Sequence, residues 1–210
     1  MNIDYAQRKA RGGRGLIPPN PNQWNNEHNG LDVRQALGLD GSSPLPAIEH
    51  VFATVLPQVT VLPHGGVPAA AVYIDHFRRG GVRNWSGLGL QLPDGSEMVV
   101  YNDSHAPVRI RATLMEEFFH IYLDHPRSTV RVLSTSAGSS RTLDTSVENE
   151  AYGSGAAALV PFSGLCSMVG DGTTVTAIAS YFQVSKGLVE FRLKVTKLYA
   201  KAKSWRKPSA

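Results

Sequence analysis

The chain has 210 residues, 42% hydrophobic and 18% charged, a balance that fits one globular domain, or one with a small appendage, and excludes a disordered chain. A single cysteine, Cys166, excludes a disulfide framework, and no run of about 18 apolar residues is present to span a membrane. The net charge of +4 sits at the two ends: Arg8, Lys9, Arg11 and Arg14 near the start, and eight Lys or Arg against Glu190 alone from Lys186 to Lys207. Basic ends suit nucleic acid, as they suit a solvated surface. The opening "MNIDYAQRKARGGRG" lacks the apolar centre of a secretion signal, and the expectation is a soluble cytoplasmic protein.

Residues 1–30, rich in Gly, Pro, Asn and Arg, show no apolar period and read as a basic, flexible N-terminal arm. A short helix is expected over 31–41, and a second over 47–56, "AIEHVFATVL", where apolar residues fall at helical spacing. "VTVLPHGG" and "AAVYIDHF" read as strands, and "GLGLQL" and "EMVVYN" flank "PDGS", a hairpin signal built on Asp94-Gly95. "PVRIRATLMEEFFHIYLDH" then begins at Pro107, a residue tolerated in a first helical turn, and stops before Pro126. After a Ser/Thr-rich loop, "VENEAYGSGAAALVP" is a helix whose small residues admit a close neighbour, and two more helices meet at Gln183–Ser185.

The chemistry lies in "TLMEEFFHIYLDH". Glu116 and His120 are four apart and share one helix face, with Glu117 one step round. This is the spacing of H-E-x-x-H zinc sites, in which the first and last side chains bind metal and the glutamate after the first is the general base. Here Glu stands at the first position, and carboxylate oxygens also ligate zinc. A catalytic metal needs a third protein ligand, and both Glu148 and Glu150, at the start of the next helix, are candidates. The alternative pairing E-x-x-H, Glu117 to His120, belongs to di-iron bundles that need a second such motif, which this sequence lacks. His125, five residues beyond His120, is expected to turn away from the ligand face and to favour the helix C-terminus.

Taken together, "TLMEEFFHIYLDHP", the Ser/Thr loop and "ENEAYGSGAAALVP" resemble the ImmA/IrrE family of metallopeptidases. Its members show a strand, an Arg, a helix with H-E-x-x-H and a helix of the type E-x-E-A-(N/D)-x-F-A-A-x-L-(L/M)-P. The strand here is "EMVVYN", the Arg is Arg109 or Arg111, and the second helix agrees through Pro161, the likeness running over about residues 65–200. The resemblance implies metal ligands Glu116, His120 and Glu148, with Glu117 as the catalytic glutamate. Two positions depart from the family: Glu116 replaces His, and Tyr152 replaces the Asn or Asp expected behind the ligands. Two carboxylates and one imidazole make a harder, more anionic site that could hold Zn2+ weakly, prefer Mn2+ or hold no metal, and in a working site the extra carboxylate should lower the metal's acidity and slow hydrolysis. The implied substrate is a helix-turn-helix transcriptional repressor, whose loss would derepress stress or phage-defence genes. Some relatives respond to DNA damage, and single-stranded DNA is the activator the basic ends would suit.

Cys166, just beyond Pro161, could offer a thiolate to the open metal position and hold the enzyme latent, or could simply be a small core residue. "IASYFQVSKGLVEFRL" resembles a helix-turn-helix, with Ala179, Val184, Ser185 and Val189 at the small, turn and core positions, Gln183 where Gly is usual, and Lys186, Arg192, Lys194 and Lys197 able to meet phosphates. The expectation is an α+β, zincin-like domain with a small antiparallel sheet and active-site helices over 31–165, followed by a helix-turn-helix-like segment with a basic tail over 166–210. The competing function is a catalytically inactive peptidase fold acting as a DNA-binding regulator.

Overall fold

The computed structural model describes residues 16–67, 85–92, 94–126 and 145–199. The strand expected at "AAVYIDHF" and most of the Ser/Thr loop lie outside them. Among the described residues the order is α1 (Trp24–Ala36), α2 (Ile48–Val55), β1 (Val59–Pro63), β2 (Gly87–Gln91), β3 (Glu97–Tyr101), α3 (Pro107–Tyr122), α4 (Thr145–Leu159), α5 (Phe162–Gly170), α6 (Val175–Phe182) and α7 (Lys186–Val195). The fold is α+β and helix-rich, with a three-stranded sheet among the described residues.

The Asp94-Gly95 turn forms as its chemistry requires. The Asp94 carboxylate accepts from the Ser96 N–H at 2.9 Å and hydroxyl at 2.6 Å, and Gly95 takes a positive φ of 85°. It joins β2 and β3 as an antiparallel pair. The sheet order is β1-β3-β2, with β1 parallel to β3. The expected all-antiparallel sheet is therefore corrected to a mixed one. Hairpin chemistry fixes only the local pair; β1 reaches β3 from a distance.

A second correction concerns the arm. Residues 24–30 are the start of α1, not extended chain. No apolar period announces this helix because much of what it buries is charged or without a side chain: Glu27, Arg34 and Gly30 beside Leu31 and Val33. Gly30 sits against α4 so closely that a Cβ would lie 2.7 Å from the Ala158 nitrogen.

α4 is the central helix, packed by α3 on one side and α1 on the other. From Gly153 to Leu159 every residue is buried, and Gly155 brings α4 against the Met115 carbonyl of α3. α3 buries Leu114, Met115, Phe118, Phe119 and Ile121, with Phe118 meeting Phe52 edge-on at 5.2 Å. Each such side chain contributes about 1.5–3 kcal/mol, so the rotation of α3 is fixed. Its remaining face carries Glu116, Glu117 and His120.

The C-terminal helices share this core. Leu188, Val189, Leu193 and Leu198 are buried in one cluster with Phe118 and Leu159, so the expected division after residue 165 is not a break in packing. Arg192, expected to meet phosphate, is fully buried instead: it pairs with Glu27 at 2.5 Å and donates to the Val160 carbonyl at 2.9 Å. Its role is to tie α7 to α1 and to the end of α4. No single helix among the described residues is long and apolar enough to cross a membrane.

Candidate metal centre

Ligand atoms of Glu116, His120 and Glu148 lie within 4.8 Å of one another, all three half-buried. The first two come from successive turns of α3. The third comes from the first turn of α4, carried there by the close Gly155 contact. His120 Nε2 and Glu148 Oε2 are 3.6 Å apart. Donors at about 2.0–2.2 Å around a tetrahedral ion are separated by roughly 3.4 Å, so the His120–Glu148 pair is already at the spacing a divalent cation takes, with Glu116 within reach of it.

The electrostatics point the same way. Burial, with the Glu117 and Glu148 carboxylates beside it, pushes the Glu116 carboxyl up to about 7. Three carboxylates drawn together around an imidazole are costly without a cation to offset them. Tyr152, one turn beyond Glu148, has its phenol raised by burial and then by Glu116. Its ring packs on Phe191 at 5.0 Å, which anchors it between the centre and α7.

Glu117 occupies a space that β2 leaves for it. Gly87 and Gly89 fall on one face of the strand. A Cβ on Gly87 would stand 3.1 Å from Glu117 Cγ, and one on Gly89 would stand 3.2 Å from Glu117 Oε2. The two-residue period of "GLGLQL" carried this signal, and the sequence reading used it only for the hairpin.

The structure separates the two candidates for third ligand. Glu148 joins the converging group, while Glu150 turns to His125, with its Oε2 3.4 Å from His125 Nε2. His125 is the residue that sequence reasoning misplaced. It is buried, and its Nδ1 lies 3.2 Å from His120 Nδ1. The cause is the end of α3. Asp124 takes a left-handed φ of 53°, its N–H bonds to the Ile121 carbonyl at 3.1 Å, and the His125 N–H bonds back to the His120 carbonyl at 2.9 Å. This Schellman ending folds His125 onto the preceding turn instead of letting it continue away. The signal was Asp124, a residue type that enters the left-handed region readily, just ahead of Pro126.

Cys166 lies on α5, packed against the main core, and is not one of the converging group. Arg109 and Arg111 serve α3 as tethers: Arg109 donates to Ser86 at 2.8 Å, and Arg111 to the carbonyls of Pro46 and Leu45 at 2.8 and 3.1 Å. On α7, Lys186, Lys194 and Lys197 remain exposed or at its exposed end.

The profile of the IrrE N-terminal-like domain, a peptidase family, matches residues 75–194. The chain belongs to that family. The match takes in β2, β3, α3 and α4, and so every residue of the converging group together with Glu117. No curated protein matches the chain.

Proposed function

We propose that this chain is a metal-dependent endopeptidase that cleaves a helix-turn-helix transcriptional repressor. The observation that carries the reading is the convergence of Glu116, His120 and Glu148 beside Glu117 in a member of a peptidase family. Glu116, His120 and Glu148 would hold zinc, or manganese given two hard carboxylates against one imidazole. When bound, such an ion supplies Lewis acidity toward water and the scissile carbonyl. Glu117, seated over the two glycines of β2, accepts the proton of the attacking water and returns it to the leaving amine. Burial, and then the Glu116 carboxylate, keep the Tyr152 phenol protonated near the centre. Single-stranded DNA is the proposed activator, supported by the basic ends of the sequence.

A second reading rests on a separate observation. Ala179, Val184 and Val189 are buried, Gln183 takes the left-handed turn conformation, and Ser185 caps α7, leaving Lys186 and Lys194 exposed. This arrangement supports a DNA-binding regulator on an inactive peptidase fold.

The deciding experiment is metal content of the purified chain by elemental mass spectrometry, beside a His120→Ala, Glu148→Ala variant. About one zinc or manganese per chain, lost in the variant, followed by metal-dependent cleavage of a repressor that Glu117→Gln abolishes, supports the peptidase. Absence of metal after incubation with excess zinc and manganese, with binding to duplex DNA, selects the regulator.

A further inference from the structure

Behind the converging group the side chains form a line: Glu148, His120, His125, Glu150. The steps are 3.6 Å from Glu148 to His120 Nε2, 3.2 Å between the two Nδ1 atoms, and 3.4 Å from His125 Nε2 to Glu150. Carboxylates end the line and imidazoles fill it. We propose that His125 and Glu150 are positioning residues that fix the tautomer and ring orientation of His120 as a ligand. The proposal rests on the metal-site reading above.

Hydrogen-bond bookkeeping permits two proton arrangements with both imidazoles neutral. In one, His120 carries its proton on Nε2 and donates toward Glu148, while the His125 Nδ1–H donates to His120. His125 then turns a lone pair toward the Glu150 carboxylate. In the other, His120 Nδ1–H donates to His125 Nδ1, and His125 Nε2–H donates to Glu150. His120 Nε2 then turns a lone pair toward Glu148, which is what a cation between them requires. The second arrangement has a repulsion at the Glu148 end that a cation converts into attraction. The first has the corresponding repulsion at the half-exposed Glu150 end, which a cation at the Glu148 end does not relieve. Occupation of the Glu148 end and proton alignment toward Glu150 are therefore one event.

Metal-ligating histidines commonly donate their other N–H to a carboxylate or carbonyl. Here an extra imidazole is interposed, and the device depends on the chain reversal at Asp124, which alone brings His125 back to His120. The ring planes cross at 71°, so the contact is a directed N–H···N bond and not a stack.

The test uses the full chain loaded with zinc, which is diamagnetic. Nitrogen-15 NMR of the histidine rings reads which nitrogen carries the proton, and chelator competition reads zinc affinity. The variants are His125→Ala, Glu150→Ala and Glu150→Gln. Glu150 is 45% exposed, so its substitutions leave the fold intact even where His125→Ala does not. The expected result is His125 protonated on Nε2 and bonded to the His120 Nδ1–H in the wild type. Zinc should bind about 10- to 100-fold more weakly in Glu150→Ala and His125→Ala, with partial recovery in Glu150→Gln, which keeps an acceptor. Unchanged ring nitrogens and unchanged affinity in Glu150→Ala, in a wild type that binds zinc, would overturn the relay and leave the peptidase reading standing. A wild type that binds neither zinc nor manganese overturns both.

Discussion

Glu27 and Arg192, 165 residues apart, meet as a fully buried ion pair, and Glu27 also accepts the Phe162 N–H at 2.6 Å. Arg34, equally buried, donates to the Ala158 carbonyl at 2.7 Å. Two guanidinium groups thus meet carbonyls at the C-terminal end of α4, and one carboxylate meets the first N–H of α5. Each charge lies where the helix dipole favours it. Removing one partner strands the other in a dry interior. Glu27→Ala is expected to cost about 3–5 kcal/mol, measured by urea denaturation, a large part of a typical domain's stability. A loss under 1 kcal/mol would show that Arg192 finds water or another acceptor.

This pair also shows where sequence reasoning stops. α3 and α4 were legible because Pro107, the apolar period and the run of small residues act locally, and the hairpin because Asp94-Gly95 does. α1 was not, since Glu27 and Arg34 are buried through partners outside the helix, among them Ala158 of α4, Phe162 of α5 and Arg192 of α7. Arg192 was read as a phosphate contact for the same reason. Of the candidate centre, Glu116, Glu117 and His120 were legible from motif and spacing, while spacing left Glu148 and Glu150 both open and only the family resemblance singled out Glu148. The His125 contact was not, because one left-handed residue redirects the chain.

Gly30→Ala sets two effects against each other. Alanine favours a helix over glycine by about 1 kcal/mol. The added Cβ, however, would meet the Ala158 nitrogen at 2.7 Å and the Ala157 carbonyl carbon at 2.9 Å, both backbone. Backbone cannot yield as a side-chain tip can, and overpacking costs about 1–3 kcal/mol. A net fall in melting temperature is expected, and a rise would show that α1 and α4 can separate freely.

Gly89→Ala tests the seat of Glu117. The new Cβ stands 3.2 Å from Glu117 Oε2 and must displace that flexible carboxylate. Metal content should be unchanged, since Glu117 is not in the ligand group, while hydrolysis falls by about 100-fold, the scale of a misplaced catalytic group. Parallel metal analysis and single-turnover cleavage separate the two. Loss of metal in this variant would mean that Glu117 itself is a ligand.

Glu116 gives the pH dependence. Its folded carboxyl is raised to about 7, with burial as the largest cause, from a reference of 4.5. The folded state therefore holds this proton more tightly than the unfolded chain. Its contribution to metal-free stability is fully present below about 4.5, declines as pH rises, and is lost above about 7. Glu116→Gln keeps a neutral group there at every pH. The difference in melting temperature between variant and wild type should grow in favour of the variant from pH 5 to pH 8. Added zinc or manganese should reverse the trend in the wild type alone, because the cation takes the place of the proton and its affinity rises up to about pH 7. Thermal melts across pH, with and without metal, check both halves. A metal effect equal in Glu116→Gln and wild type would remove Glu116 from the ligand set and leave His120 and Glu148 to hold the ion.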